Sequence, residues 1–522
     1  MESATRPETT QTEAGNGRPD AEETFEVRSP SDGGLLETLT IDAPAAVSKA
    51  FERARAAQPA WEAIGFDGRR RWLEGLRDWI LDNQDRLDSM MQAESGKVRA
   101  DAALESFYCI DAINFWLREG PRYLADEVVT PQNPLLRAKR SKIVYAPFGV
   151  IGNISPWNFP LILSIGDSIP ALVAGNSVVL KPSELTPLTL LEIVRAWRDE
   201  IGAPDVIQVV NGGPETAGAL IDEADYVQFT GSERTGKLVM KRAAETLTPV
   251  SLELGGKDPM IVTRDANLER AVNATAWGGL ANSGQICISI ERVYVEDPVY
   301  DRFLDGLRAK IEDLRMGADD SGYTAEIGAM TSPAQVEIVS EQVEEARAAG
   351  ARVLTGGRRG DGPGDWYEPT LLADTDHSMK VMREETFGPV IAVMRVDDVE
   401  QAIELANDTT YGLGSSVFAG DAAEGERIGR RIDAGHCNVN DVLINYNVLG
   451  LPMGGWKRSG IGTRHGSQGI RRFCRTKALT VPRLPQAKSE PIWFPYSARR
   501  RGLVRRLYRF LNARGVRNRL GL

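Results

Sequence analysis

The sequence predicts an α/β fold built on parallel sheets, and three observations carry that prediction. Between residues 143 and 254, short apolar runs at 178–180, 206–210, 226–229 and 250–254 alternate with helical stretches, a rhythm that gives parallel strands covered on both faces. A second β-α region spans 256–418, with strands expected at 260–262, 293–295, 353–354 and 390–393. The 522 residues, 42% hydrophobic, 26% charged and including 51 glycines, suit a turn-rich globular chain of two or three domains. Two such α/β units facing one another make a cleft, and ligands of these sheets bind at the carboxyl ends of the strands.

Residues 1–24, rich in Thr, Glu, Gly and Pro, cannot offset their own ordering entropy and are expected to form a disordered tail. From 43 to 124, apolar positions such as Trp72, Leu73, Leu76, Trp79 and Ile80 recur at helical spacing. No repeat of twenty to fifty residues is present. Net charge is −11, which argues against a nucleic-acid-binding body. The first residues lack the apolar run of a secretory signal, so a cytoplasmic protein is expected. The longest apolar stretch, 161–180, is interrupted by Asp167 and Asn176, so no spanning helix is expected. Cys109, Cys287, Cys437 and Cys474 lie far apart, and with only His377, His436 and His465 besides, neither a disulfide framework nor a metal site is expected.

Three motifs could carry chemistry. Cys287 stands in Asn282-Ser-Gly-Gln-Ile-Cys-Ile-Ser-Ile-Glu-Arg292, where glycine permits a tight backbone path before a thiol. Alone, a cysteine between isoleucines reads equally as a small buried hydrophobe. Glu253, in Ser251-Leu-Glu-Leu-Gly-Gly-Lys257, places an acid inside an apolar strand, where desolvation raises its pKa toward that of a general base; an exposed edge-strand position is the alternative. Asn158, in Pro156-Trp-Asn-Phe-Pro160, sits between prolines that restrict the backbone, so its amide can serve as a fixed donor to developing negative charge, or as an ordinary turn residue.

In order and spacing, these motifs together resemble the aldehyde dehydrogenase superfamily from about Phe25 to Pro482. The resemblance implies a Rossmann-type cofactor domain (25–127 and 148–255), an α/β catalytic domain (256–455) and a bridging hairpin (128–147, with 470–484) that pairs subunits into a homodimer or homotetramer. It implies that Cys287 is the nucleophile, that Glu253 activates the water that hydrolyses a thioester, and that Asn158 and the Cys287 amide hold an oxyanion. For the cofactor it implies contacts from Trp157, Leu254, Glu385 and Phe387. Phe229-Thr-Gly-Ser-Glu-Arg-Thr-Gly236 follows a strand and opens a helix, so Gly231, Ser232 and Gly236 match the family's Gly-Ser-x-x-x-Gly turn beside a pyrophosphate. Lys181, Ser183 and Glu184 end a strand where an adenosine ribose would lie, and the Glu184 carboxylate leans toward NAD, with NADP the alternative.

Substrate and tail stay open at this level. The segment 285–295 and Arg464-His-Gly466 resemble a bacterial subgroup labelled succinate-semialdehyde dehydrogenase, yet better-defined members place arginines where this chain has Gly166 and Ala281. A dianionic product calls for fixed cations, which leaves Arg458, Arg464 or His465 as the source of charge. Asp167, where many relatives carry lysine, makes the expected pocket mouth less basic. A neutral aliphatic or aromatic aldehyde is the alternative substrate, and a catalytically silent, membrane-associated binding protein is the alternative role. Residues 485–522 form a basic tail: nine arginines and no acid lie between Arg499 and Leu522, leaving −20 for the rest of the chain. Leu503, Val504, Leu507, Tyr508 and Leu511 fall on one helical face, which suits peripheral contact with an anionic membrane, with Trp493 and Phe494 as anchors, or docking on the protein's own acidic surface.

Overall fold

The computed structural model describes residues 23–319, 322–483, 488–490 and 493–520, so nearly all of the expected N-terminal tail lies outside the described residues. The described chain forms two units, Met1–Leu124 with Ala146–Arg475, and Ala125–Tyr145 with Thr476–Leu522.

The larger unit opens with an antiparallel pair, Thr24–Arg28 and Leu35–Thr40, and four helices, Pro44–Ala63, Gly65–Asp82, Gln84–Ser95 and Arg99–Tyr123. Leu73, Leu76, Trp79 and Ile80 are buried on one face of the second helix, as their spacing requires.

The first large sheet has five parallel strands in the order Val250–Glu253, Tyr226–Thr230, Val150–Ile154, Ser177–Lys181, Ile207–Val209. A two-residue strand, Gly460–Ile461, returns from late in the chain and pairs antiparallel with the outermost of them, setting Gly460 opposite Glu253. The second sheet has seven strands in the order Arg352–Thr355, Thr370–Ala373, Val390–Val396, Ile290–Glu296, Asp258–Val262, Ser416–Phe418, Asn438–Val439; only the first pairing is antiparallel. Alternate side chains of its central strands feed two separate cores. Met260, Val262, Val293 and Val295 pack with Val299, Phe303 and Leu307 on one face, while Ile261, Tyr294 and Ala392 pack with Val339, Val343 and Ile403 on the other. That two-sided burial is why the segments 260–262, 293–295 and 390–393 of these strands are uninterrupted apolar runs.

The eight strands expected in the two β-α regions are all present, to within one or two residues at most ends. Four short strands, 370–373, 416–418, 438–439 and 460–461, were not expected, because runs of two to four residues carry too little periodicity to stand out. The smaller unit contributes Glu127–Val129 and most of Lys139–Pro147 and Cys474–Pro482 to a three-stranded sheet, then the helices Ala498–Asn512 and Val516–Leu520. Among the described residues no helix is long and apolar enough to cross a membrane.

Candidate active site

Cys287 follows an irregular turn, Ala281–Gly284, in which Asn282 and Ser283 take left-handed dihedrals. Gly284 is obligatory here: its φ is +70°, and a Cβ would lie 2.0 Å from the carbonyl oxygen of Gly388. With no ladder to satisfy its backbone, the turn depends on side chains. The Asn282 amide N–H donates to Asp101 (2.9 Å), Asn282 Nδ2 donates to the carbonyl oxygens of Asn158 and Gln285, and Gln285 Oε1 accepts from the Thr331 N–H. The thiol is half-buried, and desolvation pushes its pKa up to about 12 against the opposing pull of Arg464.

Asn158 is buried, with Nδ2 donating to the carbonyl of Gln285 at 2.9 Å, which brings the Pro-Trp-Asn-Phe-Pro loop against the cysteine turn. A side-chain amide has two N–H groups, so one stays available for a second acceptor. The loop is braced by residues that the sequence reading passed over as mere helix. Lys97 Nζ donates to the Asn158 carbonyl (2.8 Å) and pairs with Glu105 (2.5 Å), both side chains wholly buried, and Glu105 accepts from the N–H groups of Leu161 and Ile162. Removing one member of such a buried pair costs about 3–5 kcal/mol. The available signal was Lys97 itself, a cation placed just after the helix-ending Gly96.

Glu253 closes the strand Val250–Glu253, and strands flank it on both sides, opposite Thr230 and Gly460. It is therefore buried rather than on an exposed edge. Neither carboxylate oxygen has a hydrogen-bond partner, and burial raises the pKa to about 7 against the charges of Arg464 and Arg472.

Asp167 does not sit at a pocket mouth. The loop continues as a π-helical turn, Ile162–Gly166, into the helix Asp167–Ala174, every residue of which is buried, and this turns the Asp167 carboxylate inward to Arg464 at 3.2 Å. Arg464 is thereby occupied. His465 is buried against the Tyr108 hydroxyl (2.8 Å), with burial holding its pKa well below the usual imidazole range, and exposed Arg458 lies 3.7 Å from Glu233.

Two cavities meet at Cys287. The first, of about 850 Å³, is lined by Trp157, Asn158, Gly231, Ser232, Glu253, Leu254, Glu385, Phe387 and Cys287, among others. It therefore unites the three expected catalytic side chains and six of the ten expected cofactor residues. Ser232 caps the helix Glu233–Thr246, accepting from the Thr235 N–H, so a helix N-terminus opens beside the cavity where a phosphate is favoured. Glu385 accepts from the Gly256 N–H (3.0 Å), and desolvation, aided by Glu291, raises its pKa to about 8. The rings of Trp157 and Phe387 meet edge to face at 5.3 Å.

The other four lie outside this lining. Gly236 packs under Leu254, where a Cβ would come within 2.7 Å of Leu254 Cδ2. Lys181 donates to the carbonyls of Pro182 and Gly212 and stands 3.5 Å from Glu184, so Lys181, Ser183 and Glu184 cluster at the carboxyl end of Ser177–Lys181. A helix N-terminus, the carboxylates of Glu184 and Glu385 and a wall of rings have the chemistry that a dinucleotide calls for.

The second cavity, of about 750 Å³, is walled by Leu104, Phe159, Ile162, Leu163, Trp277, Ile286, Ile288, Leu443 and Tyr446, with Asp101, Asn282 and Asn447 as its polar members. No Lys, Arg or His is among its lining residues. Cys287 and Leu163 line both cavities. Among the described residues no group of three His, Cys, Asp or Glu is placed to hold a metal ion, and all four cysteines are free thiols.

Residues 18–479 match the model of the aldehyde dehydrogenase family. A Methylomonas protein named 4,4'-diapolycopene aldehyde oxidase is 40% identical, over 90% of this chain and 88% of its own length. A Mycolicibacterium smegmatis protein with the provisional name succinate-semialdehyde dehydrogenase [NADP(+)] is 39% identical, over 89% and 90% of the two chains. Among solved structures, lactaldehyde dehydrogenase from Escherichia coli superposes with a TM-score of 0.84 at 32% identity, covering 89% of this chain and 96% of that one. The NAD-dependent aldehyde dehydrogenase from Sinorhizobium meliloti gives 0.84 at 33% identity, covering 89% and 93%. Two α/β sheets, a thiol at the junction of a cavity beside a helix N-terminus and an apolar cavity, and these similarities agree: the chain belongs to the aldehyde dehydrogenase family, as an NAD(P)-dependent enzyme.

Proposed function

We propose that the protein oxidises neutral, largely apolar aldehydes to carboxylates through a thioester on Cys287. The observation that carries this reading is the position of Cys287 between the cavity lined by Trp157, Ser232, Glu385 and Phe387 and an apolar one without a cation. The Cys287 sulfur attacks the aldehyde carbon, and the resulting oxyanion is held by the free N–H of Asn158 with the Cys287 backbone amide. Trp157, Gly231, Ser232, Leu254, Glu385 and Phe387 would hold the nicotinamide and pyrophosphate half of NAD(P), while Lys181, Ser183 and Glu184 would hold the adenosine ribose and Gly236 the helix packing beneath Leu254. When bound, the oxidised nicotinamide supplies a positive charge that favours the thiolate and accepts the hydride. Glu253 then takes a proton from the water that attacks the thioester, and Cys287 leaves as the thiolate. Glu184 favours NAD through its affinity for ribose hydroxyls. Lys181, 3.5 Å from it, offsets part of its repulsion of a 2′-phosphate, so NADP is the second cofactor.

Succinic semialdehyde is the poorer substrate. Its carboxylate would enter a pocket that offers no cation and holds one acid, Asp101, whose pKa burial raises to about 6. The name of the Methylomonas relative, which specifies a diapolycopene aldehyde, points the same way. We expect hexanal or benzaldehyde to exceed succinic semialdehyde by roughly 100-fold in kcat/KM, measured as NADH formation; the reverse order would remove the substrate assignment.

We also propose that residues 25–127 and 148–255 act as the cofactor domain and 256–455 as the catalytic domain. Residues 128–147 and 470–484 then pair subunits of a homodimer or homotetramer. The C-terminal tail holds a cytoplasmic enzyme at anionic membrane surfaces. The tail reading is supported by the helix Ala498–Asn512, which buries none of its residues and has Leu503, Tyr508 and Phe510 exposed, with Trp493 and Phe494 exposed before it.

A further inference from the structure

Behind Glu253, side chains from four separate segments meet away from solvent. Arg464 and Asp167 are each 3% exposed, with the guanidinium 3.2 Å from the carboxylate. The guanidinium also donates to Thr230 Oγ1 and to the Tyr446 hydroxyl, each at 3.1 Å, so it is fixed from three sides. The same Asp167 oxygen, Oδ2, accepts from Gln228 Nε2 (2.8 Å), and Arg472 donates to Gln228 Oε1 (3.0 Å). The backbone supplies the registration: Gly460 and Ile461 pair with Glu253 and Leu252, and the chain reaches Arg464 three residues later.

The contact between Arg464 and Glu253 has an unusual form. Arg464 Nε is 3.9 Å from Glu253 Oε1, too far for a hydrogen bond. Arg464 Nε and both Glu253 oxygens are buried without a hydrogen-bond partner. An unpaired buried carboxylate is costly and escapes the cost by protonating; a tightly bonded one would keep its charge but lose its lone pairs. A cation fixed just beyond bonding distance opposes protonation while leaving both oxygens without a bonded donor.

We propose that Arg464 is a positioning residue for the general base: anchored by Asp167, its guanidinium keeps Glu253 a carboxylate while leaving both oxygens free to take a proton from water. This rests on Glu253 being the base. The charged groups facing Glu253 are Arg464, Arg472, Asp167 and, across the cavity, Cys287. Burial and Asp167 raise the Glu253 pKa while Arg464 and Arg472 lower it, so Arg464 and Asp167 act on the base in opposite senses.

The test is the decay of the acyl-enzyme in a single turnover of the full-length protein with hexanal and NAD⁺, followed by quenched intact mass from about pH 5 to 9. This isolates hydrolysis from the ionisation of Cys287. Arg464→Met should move the midpoint of the hydrolysis rate to higher pH by about one unit or more, Asp167→Asn should move it to lower pH, and Arg464→Lys should restore a midpoint near that of the unchanged protein. Loss of packing alone slows both variants without shifting their midpoints in opposite directions. Midpoints that stay put, or move the same way, overturn the proposal; if Arg464→Met does not fold, an Asp167→Asn midpoint that fails to fall does so by itself. Glu253→Gln separates the two levels: acyl-enzyme decay unchanged in that variant removes the base assignment and this inference together. A block at Glu253→Gln with unmoved Arg464 and Asp167 variants removes the inference alone.

Discussion

As the proposed base, Glu253 has to be a carboxylate to accept a proton, and burial opposed by the charges of Arg464 and Arg472 raises its pKa to about 7. The sign follows directly. Below that value the base is protonated and hydrolysis falls about tenfold per pH unit; above it the rate levels off. Acyl-enzyme hydrolysis is therefore expected to rise through about pH 7 to a plateau, a profile that stopped-flow measurement of turnover under hydrolysis-limited conditions would read. A rate flat from pH 5 to 8 would contradict it. At this scale the sequence was informative where residue type conflicts with surroundings. An acid inside Ser251-Leu-Glu-Leu-Gly signals a cost that something must justify, and Glu253 proves buried. Asp167 misled for the complementary reason. Its partner, Arg464, lies almost three hundred residues away, and the π-helical turn that aims its carboxylate inward leaves no mark on hydrophobic periodicity. Lys97 was marked only by its place after the helix-ending Gly96, and its pairing with Glu105 under the Asn158 loop was not legible, because a helical pattern says nothing about which polar residues find each other.

Elements were legible in proportion to their burial. Strands such as Asp258–Val262 and Ile290–Glu296, buried on both faces, were legible through the short apolar runs at 260–262 and 293–295, whereas Gly460–Ile461, two residues long and dependent on Glu253 for its pairing, was not. The C-terminal helix is the opposite case, legible in sequence and without a buried residue in the structure. At about 100° per residue, Leu503, Val504, Leu507, Tyr508, Phe510 and Leu511 share one side, while Arg505, Arg506 and Arg509 occupy the other. An exposed face of that kind beside concentrated positive charge suits an anionic lipid surface better than a nucleic acid, which makes no use of the aliphatic stripe. Full-length protein should sediment with vesicles of 70:30 phosphatidylcholine and phosphatidylglycerol and remain in the supernatant with phosphatidylcholine alone. Changing Arg505, Arg506 and Arg509 to Gln should lower bound protein about tenfold while oxidation of a water-soluble aldehyde is unchanged. Equal binding to both vesicle types, or retention on RNA without vesicle binding, would contradict the tail assignment.

At the scale of the whole molecule, the proposed chemistry depends on convergence. Asn158, Glu253 and Cys287 are separated by 95 and 34 residues in the chain, and three different devices bring them together. These are the Lys97–Glu105 brace under the Asn158 loop, the Gly460–Ile461 strand on Glu253, and the left-handed turn before Cys287. The order of the motifs could suggest that meeting, but not the apolar walls of the second cavity, whose residues come from segments as distant as Leu104 and Tyr446. On the proposed mechanism this convergence makes Cys287 the sole carrier of the acyl group and Glu253 its release. Intact-mass and peptide mapping of Glu253→Gln protein mixed with hexanal and NAD⁺ should find one hexanoyl group on Cys287, persisting after a single equivalent of NADH has formed. An acyl group on Cys109, Cys437 or Cys474, or continued NADH formation by Cys287→Ala protein, would contradict it.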